Sequence, residues 1–226
     1  MKPTAGRARR CWGPAAVVRL PNPPAFPAAY PVHTITEEAA AQLWDAFRGG
    51  EARALAALFE AYYDALYGYG LKLTGDEELV KDCIQNLFQQ LWRRRAGLRA
   101  VQVVKAYLFK AFRHHLADET QRLRQQHALP AGPDSFEVIY SHEEFLIAEQ
   151  SDAEQRARLL GALNRLSKRQ REALYLKFFD GFSYERIAEV MALNPQSVRN
   201  LVFNALKAIR RIMLTVLALL CLLGEG

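Results

Sequence analysis

Five polar residues near the C-terminal end of the chain have the types and spacing needed to read DNA. They follow the pair Asn194-Pro195, recur at short helical steps, and are Gln196, Ser197, Arg199, Asn200 and Asn204. Amide, hydroxyl and guanidinium groups form hydrogen bonds with base edges in the major groove of DNA. The predicted chemistry of this segment is therefore hydrogen bonding to bases.

Two short helices are predicted to position these side chains. Asn194 can cap the second helix, and Pro195 suits its first position. The first helix is expected to start at Ser183, and residues 192–194 form the turn. The predicted buried residues are Ile187, Ala188 and Met191 of the first helix and Val198, Leu201, Ala205, Leu206 and Ile209 of the second. This pattern is typical of a helix-turn-helix, although a hairpin that only closes a bundle core would share it.

Composition narrows the class of protein. The chain has 226 residues, half of them hydrophobic, and 30 Lys and Arg against 24 Asp and Glu give a net charge of +6. The sequence pI near 9.3 favours a polyanionic partner. The three cysteines, Cys11, Cys83 and Cys221, lie far apart, so neither a disulfide framework nor a zinc site is expected. We therefore expect a cytoplasmic protein without a cofactor.

Helical periodicity predicts an all-α protein with two small helical domains joined by a flexible linker. Residues 1–35 are rich in proline and are expected to be a disordered N-terminal extension. Residues 36–126 form the predicted first domain, and residues 127–150, with Pro130, Gly132 and Pro133, the linker. The second domain is predicted at 151–211 and an apolar tail at 212–226.

Three helices are predicted in the first domain from their apolar faces. One runs from about Leu55 and ends near Thr74-Gly75, where a glycine suits a helix C-terminus. A second covers residues 79–95, Gly97 marks a break, and a third begins near Val103. Alternation typical of strands is scarce, so we expect essentially no sheet.

The second of these helices carries a polar edge beside two large rings. Asp82, Gln85 and Asn86 lie three and four residues apart and border Phe88 and Trp92. Aromatic anchors beside hydrogen-bonding groups are typical of protein interfaces. The edge predicts a protein-binding surface, and the alternative is that both rings belong to the ordinary core.

The third helix interleaves aromatic and basic residues. Bases stack on aromatic rings while neighbouring cations bind phosphates, so this composition suits opened or single-stranded DNA. His114, His115 and Asp118 could suggest a metal site, but adjacent histidines point about 100° apart on a helix, and no metal is expected. The cations and rings of this helix are Lys105, Tyr107, Phe109, Lys110, Phe112, Arg113, His114, His115, Arg122 and Arg124.

Neither end of the chain predicts membrane insertion. The basic start is followed by prolines rather than an apolar region, which argues against a secretion signal. Residues 212–223 are apolar but would span only about 18 Å as a helix, against a hydrocarbon layer of about 30 Å. We expect this segment to continue the preceding helix and to pack on its own domain or on a partner protein.

Three motifs in this order resemble the bacterial sigma-70 family, in its small extracytoplasmic-function branch. The first is Asp82-x-x-Gln85-x-x-Phe88-x-x-x-Trp92, and the second is Ala106-Tyr107-Leu108-Phe109 continuing through Asp118. The third is the run from Leu166 to Glu172 that precedes the helix-turn-helix. The resemblance covers nearly everything from about Leu43 to Arg211.

The resemblance implies a non-enzymatic sigma factor whose partners are core RNA polymerase (the β′ clamp helices and the β flap), promoter DNA and an anti-sigma factor. It assigns polymerase binding to Asp82, Gln85, Asn86, Phe88 and Trp92. It assigns the −10 element to the third helix, through Lys105, Tyr107, Lys110, Arg113, His114, Asp118 and Arg122. It assigns the −35 element to Gln196, Ser197, Arg199, Asn200 and Asn204, and phosphates to Lys168, Arg169, Lys207 and Arg210.

Several positions depart from the family pattern. Asn86 replaces a usual acid, Tyr107 a frequent tryptophan, His114 an asparagine and Asn204 a common arginine. No phosphate-binding Gly-rich loop and no nucleophile with a base is recognisable in the sequence. A helix-turn-helix regulator that acts without polymerase is the chief alternative, and an all-helical enzyme or scaffold is the other.

Overall fold

The structure is a computed structural model, and it describes residues 35–126 and 161–223. The predicted N-terminal extension, the linker and the start of the second domain lie outside the described residues. Within them the chain is all-helical without a strand, as predicted. The helices are α1 (Glu37–Arg48), α2 (Ala52–Thr74), α3 (Glu77–Arg94), α4 (Val104–Gln126), α5 (Lys168–Phe178), α6 (Tyr184–Met191) and α7 (Pro195–Leu223).

Local signals set the helix ends of the first unit, residues 35–126. Gly75 has a φ of 71° and its N–H donates to the Leu71 carbonyl, which confirms the predicted end of α2. Asp76 accepts a hydrogen bond from the Leu79 N–H and caps α3. Because of this cap, α3 begins at Glu77, two residues before the predicted start. A 3-10 turn at Arg95–Gly97 breaks the chain at Gly97, as expected.

Close helix crossings and aromatic rings form the core of the first unit. A Cβ atom on Gly70 of α2 would lie 2.8 Å from both Phe112 of α4 and Val80 of α3. Only a glycine therefore lets these helices approach so closely. The largest fully buried rings are Trp44, Phe47, Phe59, Tyr69, Phe88, Phe109 and Phe112.

The second unit, residues 161–223, packs directly against the first. α6 lies against α4, and the buried side chains of both units belong to one continuous cluster. The two predicted helical units are thus present, and their buried side chains form one core.

The C-terminal helix is unusually long. α7 starts at Pro195 and continues to Leu223, which confirms the prediction that the apolar tail extends the preceding helix. Among the helices described here, none combines the length and apolarity required to cross a membrane. The side chains of residues 212–223 lie outside the described part of the chain, so the expected packing of this tail stays a prediction.

Candidate nucleic-acid interface

The helix-turn-helix forms where the sequence predicted it. The Ser183 hydroxyl accepts a hydrogen bond from the Arg186 N–H at the start of α6. Ala192 takes the left-handed conformation, with φ of 52°, and ends this helix. Asn194 Oδ1 then accepts from the Ser197 N–H at 2.7 Å, and α7 begins at Pro195. Both predicted caps are confirmed.

The buried faces of α6 and α7 agree with the prediction except at one position. Ile187, Ala188 and Met191 of α6 are buried, as are Val198 and Ala205 of α7. Leu201 and Ile209 are partly buried.

Leu206, by contrast, was predicted to be buried and is 44% exposed, whereas Val202 is buried in its place. The physical reason is that α5 and α6 contact a narrower stripe of α7, which includes Val198, Val202 and Ala205.

The opposite face of α7 presents hydrogen-bonding groups to solvent. Gln196, Arg199, Asn200 and Asn204 are exposed, and Ser197 is partly exposed. Gln196 donates to the Asn200 side chain over 3.2 Å, which aligns two amides one helical turn apart. An amide pair of this kind can bind adenine, and the guanidinium can bind guanine.

Arg199 of this face is held by the preceding helix. Its Nη2 lies 2.7 Å from Oε1 of Glu185, and its guanidinium lies 5.8 Å from the centre of the Tyr184 ring. Both groups of the ion pair are about half exposed. The pair orients Arg199 without removing it from solvent.

Basic residues lie at two further places in the second unit. Lys168 and Arg169 lie at the start of α5, where Ser167 and Gln170 form a capping box. Lys207 and Arg210 lie further along α7. Lys168 is partly exposed and the other three are exposed.

Along α4, three of the predicted DNA-binding residues are accessible and one is paired locally. Lys110, His114 and Asp118 are exposed, and His114 Nε2 lies 3.7 Å from the Asp118 carboxylate. Arg122 is exposed and forms an ion pair with Glu119.

Tyr107 of α4 is partly buried, with its ring centre 5.0 Å from that of Trp44. Burial raises the pKa of its hydroxyl, and the nearby Arg94 opposes this change. Any contact of Tyr107 with a DNA base is therefore limited to the remaining exposed part of its ring.

The other two predicted cations of α4, Lys105 and Arg113, face the second unit and are partly exposed. Arg113 Nε donates to Oε1 of Glu172 at 2.7 Å, and Lys105 Nζ lies 3.3 Å from Oδ1 of Asp180. Two of the seven residues assigned to opened DNA are thus bound to carboxylates, because α5 and the loop after it pack on α4. The assignment of Lys105 and Arg113 to opened DNA stays a prediction, and in this structure both cations are paired with acids of the second unit.

Glu172 is a buried acid that the sequence did not single out for a role. It is 4% exposed and accepts a 2.7 Å hydrogen bond from the Tyr69 hydroxyl as well as two from Arg113. Burial would lower the pKa of Arg113, but the hydrogen bonds and charge of Glu172 outweigh it and raise that pKa. Burial raises the pKa of the Tyr69 hydroxyl, and the charge of Glu172 raises it further.

Asp180 is the second buried acid. Burial raises the pKa of its carboxyl to about 6, although the charge of Lys105 opposes this shift. Lys105 also donates to the Asp180 backbone carbonyl at 2.7 Å, while Asp180 Oδ2 finds no hydrogen-bond partner in the described residues. Both acids adjoin apolar residues in the sequence, which could have indicated that they are buried. Their partners, however, are seen only in the folded structure.

The polar edge of α3 is present on the surface. Asp82 and Asn86 are exposed and Gln85 is partly exposed. Trp92 is partly buried against Phe47, and the Arg95 guanidinium lies 4.2 Å above its ring. This edge therefore offers hydrogen-bonding groups beside one accessible ring.

Phe88 does not belong to that surface. It is 0% exposed, and its ring packs edge-on against Phe59 with 5.1 Å between ring centres. The predicted polymerase contact through Phe88 is wrong, because the side of α3 that carries it faces α2. The alternative of a core role holds for Phe88.

The described residues contain no group of three or more His, Cys, Asp or Glu side chains placed to hold a metal ion. His115 is partly buried, and burial lowers its pKa.

The fold and site define a helical protein of two packed units with a DNA-reading helix-turn-helix. Residues 58–127 match the family model described as Sigma-70 region 2, and residues 156–209 match Sigma-70, region 4. Together these models cover slightly more than half of the chain. The chain belongs to the sigma-70 family of RNA polymerase sigma factors, in its extracytoplasmic-function (ECF) group.

Curated relatives agree with this assignment. The ECF RNA polymerase sigma factor BldN of Streptomyces coelicolor is 28% identical over 176 residues, 76% of this chain and 65% of BldN. The ECF RNA polymerase sigma factor SigL of Mycobacterium tuberculosis is 26% identical over 166 residues, 71% of this chain and 92% of SigL. The chain thus spans slightly less than two thirds of BldN and nearly all of SigL.

Two solved structures share the fold. CnrH, in complex with the cytosolic domain of CnrY, has a TM-score of 0.53 at 19% identity, covering 77% of this chain and 97% of CnrH. The sigma factor RpoE of Bartonella quintana, in complex with the anti-sigma factor NepR, has a TM-score of 0.51 at 20% identity, with coverage of 70% and 94%.

Proposed function

We propose that this chain binds core RNA polymerase, directs it to promoters with −35 and −10 elements, and promotes strand opening. The observation that carries the proposal is the capped α7, with its exposed polar face, in a chain that matches sigma-70 regions 2 and 4. The chain performs no covalent chemistry in this role and acts in the cytoplasm, without a cofactor or a small-molecule substrate.

Polymerase binding is assigned to the exposed edge of α3. Asp82, Gln85 and Asn86 provide hydrogen-bonding groups, and Trp92 provides a partly exposed ring beside them. We propose that this edge binds the β′ clamp helices, with Phe88 supporting α3 from the core. A ring flanked by polar groups is the usual composition of an interface centre.

The second unit provides a further surface for polymerase. Phe178, Phe179 and Phe203 are more than half exposed, which is unusual for large apolar side chains. We assign the exposed rings of Phe178 and Phe179 to the β flap, since Phe203 lies on the DNA-reading face of α7. The same unit is also available to an anti-sigma factor, the kind of partner with which RpoE of Bartonella quintana was solved.

Promoter DNA is assigned to two helices. α7 reads the −35 duplex through Gln196, Ser197, Arg199, Asn200 and Asn204, with Lys168, Arg169, Lys207 and Arg210 at phosphates. α4 binds the opened −10 strand through Lys105, Tyr107, Lys110, Arg113, His114, Asp118 and Arg122.

Each helix alone offers a small binding surface. Mounting both on one polymerase raises the local concentration of each for its own element. Capture of an unstacked base by α4 then stabilises the open strand and shifts an existing equilibrium.

Transcription with purified components tests this proposal. The chain is added to core polymerase with a library of genomic fragments from the source organism, and RNA 5′ ends are sequenced. Transcripts that depend on the chain are expected to share two upstream elements. Failure to associate with core polymerase, combined with binding of the chain alone to a specific duplex, would instead establish the helix-turn-helix regulator that acts without polymerase.

A further inference from the structure

An acid of α6 touches the cation on the polar face of α7. Arg199 Nη2 donates a 2.7 Å hydrogen bond to Oε1 of Glu185, which lies 14 positions earlier in the chain. This bond spans the turn of the helix-turn-helix and joins its two helices through side chains. A guanidinium has five N–H groups, and the bond to Glu185 uses one of them, so the others can still donate to a base.

Glu185 is itself anchored at the start of α6. It lies in the first turn of that helix, next to the Ser183 cap. Hydrogen bonds from its own backbone N–H and from the Ser183 hydroxyl lower the pKa of the Glu185 carboxyl, and the charge of Arg199 lowers it further. The carboxylate therefore stays ionised at neutral pH and presents a fixed acceptor to α7.

A ring supports the same guanidinium. The Arg199 guanidinium lies 5.8 Å from the centre of the Tyr184 ring, and Lys177 Nζ lies 4.7 Å from that centre. Lys177 also donates to the Phe182 backbone carbonyl at 3.3 Å. Tyr184 packs partly buried against the core, which limits the movement of its ring. Arg199 thus meets two neighbouring side chains of α6, while about half of its own side chain stays exposed.

An acid beside a DNA-reading face opposes DNA binding. The Glu185 side chain is 56% exposed and carries the same sign of charge as phosphate. It therefore weakens the attraction to any duplex, whatever the sequence. Orientation of Arg199 offsets this loss, because a long side chain that is already held loses less rotamer freedom on binding. That gain applies only at a base whose acceptors fit the held guanidinium.

We propose that Glu185 is a positioning residue that sets the sequence specificity of the helix-turn-helix through Arg199. Glu185 contacts no base itself, and the guanidinium that it holds selects guanine, which presents two acceptors in the major groove. Without Glu185 the same cation turns to phosphates, which flank every base pair. This inference rests on the proposed function, because it requires that α7 reads a promoter duplex.

Selection from a DNA library tests this role. Holoenzyme is assembled from the full chain and core polymerase and is mixed with duplexes that carry a randomised upstream element. Their fixed −10 element is taken from the transcripts that depend on the chain. The chain alone is tested in parallel on the same library. Sequencing of the bound duplexes gives the base preference at each position, and fluorescence anisotropy gives the affinity for one random duplex.

The variants isolate the pair of Glu185 and Arg199. Glu185→Gln removes the charge and keeps the size of an exposed side chain, so the fold should be retained. Glu189→Gln is the matched control, because Glu189 lies one turn later on α6, is 48% exposed and pairs at 2.8 Å with Arg186 of the same helix. Arg199→Ala, alone and combined with Glu185→Gln, completes a double-mutant cycle.

Opposite changes in specificity and affinity are expected. The wild type should prefer guanine at one upstream position, and Arg199→Ala should lose that preference. Glu185→Gln should reduce the same preference about fivefold. Its affinity for the random duplex should rise about twofold, because one screened negative charge is gone. Unfolding would lower both quantities. Glu189→Gln should keep the guanine preference, and Glu185→Gln should change no base preference once Arg199 is alanine.

The other outcomes overturn the proposal or the function on which it rests. An unchanged guanine preference in Glu185→Gln overturns the positioning role. A cytosine preference that Glu185→Gln removes even without Arg199 also overturns it, because Glu185 would then accept from the cytosine amino group directly. A wild type whose preferences do not depend on Arg199 has the same consequence. Preferences seen with the chain alone and not with holoenzyme would refute the sigma-factor role, while the variants still decide the role of Glu185.

Discussion

Arg113 of α4 donates a 2.7 Å hydrogen bond to Glu172 of α5, so a cation of the first unit is neutralised by an acid of the second. Glu172 is 4% exposed, and Tyr69 donates to the same oxygen atom. A buried carboxylate with three donors is fully compensated, whereas removal of one partner would leave a buried charge unpaired. This relationship packs α4 on the second unit through a residue that is also proposed to bind DNA.

Asp82→Lys combined with Gln85→Ala should abolish binding to core polymerase while both units stay folded. The change reverses a charge and removes an amide on the exposed edge of α3. Co-elution with core polymerase in size-exclusion chromatography measures the effect. Glu60→Lys, an equal charge reversal on the exposed face of α2, should leave the complex intact. Unchanged co-elution of the Asp82 and Gln85 variant would refute this interface.

Phe88→Ala should destabilise the protein by about 3–5 kcal/mol, since it empties space beside Phe59 in the core. Urea unfolding followed by circular dichroism measures the loss. For the fraction that remains folded, affinity for core polymerase should stay near that of the wild type. An unchanged unfolding midpoint together with lost affinity for polymerase would show that Phe88 contacts polymerase directly.

Arg199→Ala should weaken binding to the upstream promoter element by about 1–3 kcal/mol, because a guanidinium that contacts a base discriminates between sequences. Fluorescence anisotropy with the identified element and with a random duplex measures both affinities. Lys207→Ala is the matched comparison, as a phosphate contact should cost similar affinity on both duplexes. An equal loss on both duplexes for Arg199→Ala would show that it too binds phosphate.

Asp180 should make the protein more stable in mild acid. Its pKa is raised from 3.8 to about 6 by burial, so the folded state holds the proton more tightly than the unfolded state. Its contribution is complete below pH 3.8 and is lost as the pH rises through 6. Relative to Asp180→Asn, the wild type should gain about 1 kcal/mol in free energy of unfolding between pH 7.5 and pH 5.

Urea unfolding of both proteins at the two pH values measures this difference. His115 is present in both, so its opposite pH dependence cancels from the comparison. If the free energy of unfolding changed equally with pH in both proteins, the pKa of the Asp180 carboxyl would not be raised by burial.

The sequence by itself determined several helix ends and the polar face of α7. Asn194 and Pro195 encode the start of α7 locally, and Gly75 encodes the end of α2, because capping depends on neighbours within one turn. The motifs on α3, on α4 and at the start of α5, followed by the helix-turn-helix, likewise indicated the family, since their spacing is fixed along the chain. Side chains that recur every three or four residues could be assigned to one face of a helix. The sequence did not always show, however, whether that face is buried or exposed.

Only the tertiary structure decided what each face meets. Phe88 was expected at a binding surface and is buried, whereas Leu206 was expected to be buried and is exposed. The reason is that burial depends on the neighbouring helix and not on hydrophobicity alone. The pairs Arg113 with Glu172 and Lys105 with Asp180 join residues 59 and 75 positions apart. No local pattern encodes such contacts, since they arise from the packing of one helical unit on another.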